Sequence, residues 1–181
     1  QVFHIGAVGA EGAWALRQLQ GFGVDTSHVA QLKVPTGHAI INVDPQAENA
    51  IVLFPGANQQ ITEDYAAQVL ASAGAGDTLM MQNETSAQAA TARLAAQRGL
   101  RVMYSAAPFE VASLRAVLPF ATLLLMNEGE AADLRQALGA LPETDMVITK
   151  GAKGAEWISA MSEPLFVPSF KVIPVDTTGA G

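Results

Sequence analysis

From Thr62 to Thr149 the sequence alternates short, continuously apolar runs with segments of helical pattern, and this rhythm constrains the fold more than any other feature. Helices are expected over Thr62–Ser72, Thr85–Arg98, Glu110–Leu118 and Glu130–Leu138. Glu63 and Asp64 sit in a first turn, where the helix dipole favours acids, and Gly99 and Gly139 stand where helices end. Thr85 and Gln88 have the spacing of a capping box. Strands are expected over Thr78–Gln82, Leu100–Ser105, Ala121–Met126 and Asp145–Thr149, then an antiparallel pair, Gly154–Ile158 and Phe170–Val175. Strands joined through helices pair in parallel, and strands covered on both faces read as unbroken apolar runs. The expected class is therefore α/β with a mostly parallel sheet. Such a sheet binds ligands beyond the carboxyl ends of its strands. The residues there are Asn83-Glu84, Ala106–Pro108, Asn127–Glu130 and Lys150–Gly154, a polar and glycine-rich set.

Ahead of this alternation the pattern differs. Val2–Val8 reads as a strand ending in Gly6–Gly12, and Gly12–Gln20 as a weak helix stopped by Gly21 and Gly23. Within Thr36–Asn58, the β-branched arms His38–Val43 and Ala50–Phe54 flank a turn at Pro45–Glu48, which makes a β-hairpin. Neither arm leads into a helix, so the hairpin interrupts the rhythm around it. A chain of 181 residues, half of them hydrophobic and 15% charged, suffices for one compact domain and excludes a disordered or coiled-coil chain. The net charge is −7 and no basic cluster exists, so no nucleic-acid partner is expected. There is no cysteine, which excludes disulfides and thiolate chemistry and fits a reducing, cytoplasmic setting. The most apolar stretch, Leu118–Met126, is broken by Pro119 and too short to span a membrane. The first residues read as the middle of a strand and the last as the start of a further element, so a chain truncated at both ends is expected.

Several short motifs carry possible chemistry. Gly6, Gly9 and Gly12, with Asp25 further on, approach a dinucleotide fingerprint, but Val8 stands where the second glycine is needed and turn chemistry accounts better for them. Gly74-Ala75-Gly76-Asp77 lies between a helix and a strand and reads as a helix stop with Asp77 in a turn. Gly179-Ala180-Gly181 follows a strand, where consecutive free amides make an anion-binding nest. Asn127 can cap the next helix with Glu130 as an ordinary first-turn acid, and Thr149–Gly154 can be a plain turn or a close passage for a nucleotide.

Taken in order, these motifs identify a resemblance. Thr36-Gly37 with the hairpin and Glu48-Asn49, Gly56-Ala57-Asn58, Met81-Gln82-Asn83-Glu84, Asn127-x-x-Glu130, Thr149-x-Gly151-x-x-Gly154 and Val175-Asp-Thr-Thr-Gly-Ala-Gly181 together resemble the ribokinase-like sugar kinases of the phosphofructokinase B type, over essentially the whole chain. The resemblance implies a three-layer fold in one domain with the hairpin as a projecting lid, and transfer of the γ-phosphoryl of ATP to a sugar hydroxyl. It implies that the amides of Gly179, Ala180 and Gly181 form the anion hole, that Glu84 binds sugar hydroxyls, and that Asn127 and Glu130 organise phosphate, water and Mg²⁺. Thr149, Gly151 and Gly154 match the nucleotide-binding turn, and Asp176 and Thr178 match a monovalent-cation site of the K⁺ kind. A homodimer through the lid is implied as well. Three departures accompany these matches. The family's catalytic aspartate belongs directly after Gly181, the early strand with its sugar-binding aspartate and Gly-Gly motif belongs before Gln1, and the segment that flanks adenine belongs beyond the last residue; in addition, Ala10-Glu11 stands where the family often has two aspartates. The 181 residues alone are accordingly expected to be inactive. A nucleoside kinase of the same fold and a non-catalytic nucleotide-binding protein stay open as alternatives.

Overall fold

The computed structural model describes residues 1–43 and 49–171. The chain forms two compact units, residues 1–72 with 84–87, and residues 73–83 with 88–181.

In the first unit, β1 (Gly6–Val8) pairs in parallel with β2 (Val29–Gln31), an element the sequence pattern does not announce. The expected strand at Val2–Val8 shrinks to β1 plus a single bridge between Phe3 and Asp25. One 3₁₀ turn, Ala10–Gly12, leads into α1 (Ala13–Gly21). The hairpin forms as expected: β3 (His38–Val43) and β4 (Asn49–Phe54) pair antiparallel with each other and with nothing else among the described residues. Its expected turn, Pro45–Glu48, lies outside the described residues. A 3₁₀ segment, Gly56–Gln60, follows β4, and α2 (Glu63–Val69) begins behind Thr62, whose hydroxyl accepts from the Tyr65 amide at 3.1 Å. Ala7, Ala57 and Ile61 form a small buried cluster, with Ala30, Leu32, Tyr65 and Ala87 against it.

The second unit holds the alternation. Four strands, β5 (Thr78–Gln82), β6 (Arg101–Ser105), β7 (Leu123–Asn127) and β8 (Asp145–Thr149), are parallel, and the hairpin β9 (Gly154–Ser159) and β10 (Ser162–Pro168) continues the sheet antiparallel from β8. Between them run α3 (Gln88–Gln97), α4 (Val111–Val117) and α5 (Glu128–Leu138). Successive residues of a strand point to opposite faces. Leu123 and Leu124 are both buried, so both faces of β7 are covered, which is why its sequence does not alternate. Val102, Tyr104, Leu114, Leu124, Leu134 and Met146 are the wholly buried centre.

Two expectations need correction. The helix expected from the Thr85 capping box starts three residues later, at Gln88, because Ser86 is spent elsewhere: its amide donates to Asn58 O and its hydroxyl to Ile61 O. Ala87 takes a positive φ of 57°, a break no helix start at Thr85 allows. The strand expected at Phe170–Val175 is not formed by Phe170 and Lys171, and the rest of it lies outside the described residues. The partner of β9 is instead Ser162–Pro168, whose two prolines argue against a central strand but suit this sheet edge.

Candidate functional site

The residues expected on the nucleotide side gather where β7 and β8 end. Asn127 and Thr149 are the last residues of these strands and are paired in register. Asn127 leaves the strand with extended backbone and caps α5: its Oδ1 accepts from the Glu130 amide at 2.9 Å, while Glu130 Oε2 accepts from the Asn127 amide at 2.8 Å. The capping reading is thus correct, and it does not exhaust these residues. The box uses one polar atom of each side chain and leaves Asn127 Nδ2 and the second Glu130 oxygen outside it.

Beyond Thr149 the chain makes one 3₁₀ turn, Gly151–Lys153, closed by the Lys150 amide donating to Gly154 O at 2.8 Å. The two glycines of this turn differ physically. At Gly151, with φ +54°, a Cβ would meet nothing within 4 Å, so that side of the turn is open. At Gly154, with φ +126°, a Cβ would lie 2.0 Å from Val167 O, so glycine is required by the closeness of β10. Lys150 is paired with Glu156 at 2.6 Å, and Lys153 reaches Glu128 in the first turn of α5 at 3.7 Å. An open turn beside a free amide donor fits a nucleotide. For Mg²⁺ the described residues offer Glu130 but no cluster of three or more metal-ligating side chains. A carboxylate oxygen such as Glu130 offers is a hard donor of the kind Mg²⁺ takes, directly or through water.

Glu84 belongs to the first unit. It is exposed, and its carboxylate makes no hydrogen bond or ion pair among the described residues, whereas its carbonyl accepts from Gln59 Nε2 at 3.4 Å. The turn carrying it is tied down by the two Ser86 bonds, and Asn58 is fixed in turn by its amide donating to Pro55 O. Before it, Asn83 donates from its backbone to Ala107 O and from Nδ2 to Pro108 O at 2.8 Å. These supports were not legible as functional; only the adjacency of Asn83 and Ser86 to Glu84 points to them.

The glycine-rich turn after β1 behaves as turn chemistry. Asp25 accepts from the Ser27 amide at 2.8 Å, and hydrogen bonds from Ser27 hold its carboxyl below the usual range. Asp77 likewise closes its own turn, accepting from the Gly74 amide at 3.0 Å, at the amino end of β5. Within the sheet core, burial pushes the Tyr104 hydroxyl up to about 12, with Glu110 adding to the shift. Gly179, Ala180, Gly181, Asp176 and Thr178, the residues of the expected anion hole and cation site, lie outside the described residues.

Comparison with known proteins adds an independent line. Residues 1–181 match the family described as pfkB family carbohydrate kinase. The chain is 31% identical to a ribokinase of Bacillus subtilis, over all of this chain and 64% of the relative. It is 34% identical to a ribokinase of Haemophilus influenzae, over 88% of this chain and 57% of the relative. It thus spans about three fifths of the length of these relatives. Among solved structures, a ribokinase from Cryptococcus neoformans in complex with ADP superposes with a TM-score of 0.83 at 29% identity, covering 99% of this chain and 66% of that one.

Proposed function

The chain belongs to the pfkB family of carbohydrate kinases, and from that premise we propose that the protein carrying it transfers the γ-phosphoryl of ATP to a hydroxyl of a small sugar of the ribose class. The observation that carries this reading is the in-register pair Asn127 and Thr149 at adjacent strand ends, with the open Gly151 turn directly beyond. Such a placement serves phosphoryl transfer, where the protein's work is positioning and charge stabilisation. In this reading Asn127 Nδ2 donates to a phosphate oxygen, and the amides of the 151–153 turn line the passage of the nucleotide. Glu84, with a free carboxylate, accepts hydrogen bonds from sugar hydroxyls. Gly179, Ala180 and Gly181 supply the anion hole, and Asp176 and Thr178 a site for a cation such as K⁺. When bound, Mg²⁺ neutralises phosphate charge, and Glu130 is the carboxylate that would hold its water shell.

Two further parts of the reading concern assembly and place. Ala39, Ile41, Val43, Ile51 and Leu53 share one face of the β3–β4 hairpin with Asn49, and these five apolar residues are exposed. His38 and Asn42 lie on the other face. The apolar face supports a homodimer through the hairpin, and a monomer in sedimentation velocity on the full-length protein would reject it. No described helix is long and apolar enough to cross a membrane, and the absence of cysteine suits the cytoplasm.

The test of function is ADP release by the full-length protein with ATP and a panel of pentoses, hexoses and nucleosides. Turnover with a ribose-class sugar supports the reading. Turnover with nucleosides alone makes it a nucleoside kinase, and nucleotide binding without turnover of any acceptor makes it a non-catalytic binder.

A further inference from the structure

We propose that Glu11 is a positioning residue for the sugar side of the site, acting through Thr36 at the root of the β3–β4 hairpin; the proposal rests on the sugar-kinase reading above. The turn after β1 is built around Thr36. The Gly9 amide donates to Thr36 Oγ1 at 2.9 Å, and the Thr36 amide donates to Glu11 Oε1. One threonine is therefore held at both its hydroxyl and its backbone by residues 27 and 25 positions earlier.

The packing around these two bonds is close. A Cβ at Gly12 would lie 2.5 Å from Thr36 Oγ1, and one at Gly9 would lie 2.6 Å from Glu11 Oε2 and 2.7 Å from Val34 O. Both glycines admit the close approach of the Glu11 carboxylate and of Thr36. The hydrogen bond from the Thr36 amide, first among several, holds the Glu11 carboxyl below its ordinary range, so it accepts as a carboxylate at neutral pH.

From Thr36 the constraint passes directly into the hairpin. The Thr36 carbonyl lies 3.1 Å from His38 Nδ1, and the His38 ring packs on Phe54, its cross-strand partner, at 5.0 Å between centroids. Pro35 O accepts from the Ala57 amide, and a Cβ at Gly37 would lie 2.6 Å from Pro55 O, so the two hairpin roots are locked to each other. His38 and Asn42 are the polar residues of their hairpin face, and the proposal takes that face as the one offered to a hydroxyl-rich ligand. Glu11 fixes the end from which that face projects. It touches no substrate itself.

The experiment compares Glu11→Ala, Glu11→Gln and Glu84→Ala in the full-length protein, reading KM for ribose, KM for ATP, kcat, and hydrogen exchange of the 36–43 amides. Glu11→Ala is expected to raise the sugar KM by about tenfold and to speed exchange at 36–43, with ATP KM within about twofold. Glu11→Gln keeps an acceptor oxygen and is expected to stay within about threefold of the parent. Faster exchange with an unchanged sugar KM overturns the proposal, because the bond is then structural only. Equal rises in sugar and ATP KM also overturn it. Failure of the underlying reading looks different: Glu84→Ala then leaves the sugar KM unchanged as well. A Glu11→Ala protein that does not fold hands the decision to Glu11→Gln and Glu11→Asp, where a sugar KM that tracks the length of the acceptor supports the proposal and one indifferent to it rejects it.

Discussion

Replacing Gly151 and Gly154 separately by alanine distinguishes the two roles the 149–154 turn combines. Both glycines have positive φ, but alanine at Gly151, with φ +54°, carries the left-handed penalty of about 1–2 kcal/mol, whereas Gly154, with φ +126° and ψ −142°, lies in a region essentially reserved for glycine, at about 1–3 kcal/mol. Their surroundings differ as well. The Gly151 Cβ enters open space, so the backbone term is the whole cost. The Gly154 Cβ lands 2.0 Å from Val167 O and 2.8 Å from Pro168 Cα, which are backbone atoms of β10 and cannot rotate away. The strand itself must move, and the overpacking adds about 1–3 kcal/mol, for a total of about 2–6 kcal/mol. Because β10 pairs only with β9 among the described residues, part of that cost appears as lost pairing at Gly154–Pro168. Urea denaturation of the full-length variants measures the stability term, and calorimetric titration with ADP measures binding. Gly151→Ala is expected to lose little stability but to weaken ADP, since its methyl group intrudes on the open side of the turn. Gly154→Ala is expected to lose the larger stability and to weaken ADP only in proportion to unfolding. Equal stability losses would refute the steric argument. Unchanged ADP affinity in Gly151→Ala would remove the turn from the nucleotide site.

Asp77→Asn in the full-length protein is expected to keep near-normal kcat, because Asp77 closes a turn at the amino end of β5; a loss of several orders of magnitude would show that the wrong Gly-Ala-Gly motif was assigned to catalysis. Gly181→Val is expected to lower kcat about a hundredfold or more with little change in sugar affinity, since a side chain there crowds the oxyanion and displaces the amide, and a preorganised donor put out of place costs about 2.7–4 kcal/mol in the transition state; an ordinary kcat would place the anion hole elsewhere. Glu110 caps α4 by accepting from the Ala112 and Ser113 amides, and the bonds from Ser113, then Ala112, hold its carboxyl below the usual range. Its contribution is therefore present above the unfolded-state pKa and lost as pH falls through the folded one, so the gap in urea midpoint between the parent and Glu110→Ala should be open at neutral pH and close in acid; a gap independent of pH would contradict this.

What could be read in advance divides along the range of the interactions responsible. The strands Thr78–Gln82 and Asp145–Thr149 were legible to the residue as short apolar runs set between helices, although Thr78–Gln82, at the end of the sheet order, alternates exposed and half-buried residues and is not covered on both faces. So was the Asn127–Glu130 cap, a three-residue interaction. The strand Val29–Gln31 was not, because it is three residues long and exists only through pairing with β1. Ser162–Pro168 was hidden by its prolines, which a sheet edge tolerates. The failure at Thr85 has the same origin from the other side. Its capping pattern is sound locally, yet Ser86 meets Asn58 and Ile61 from more than twenty residues away, and those bonds outcompete a helix start. The candidate site repeats this division. Asn127, Thr149 and Glu84 announce themselves by standing at strand ends, whereas Glu11 shows no role until Thr36 is brought to it. Residues proposed to meet a ligand are therefore readable from their place in the alternation, and a residue proposed to position others, such as Glu11, becomes readable only once chain segments far apart in sequence have met.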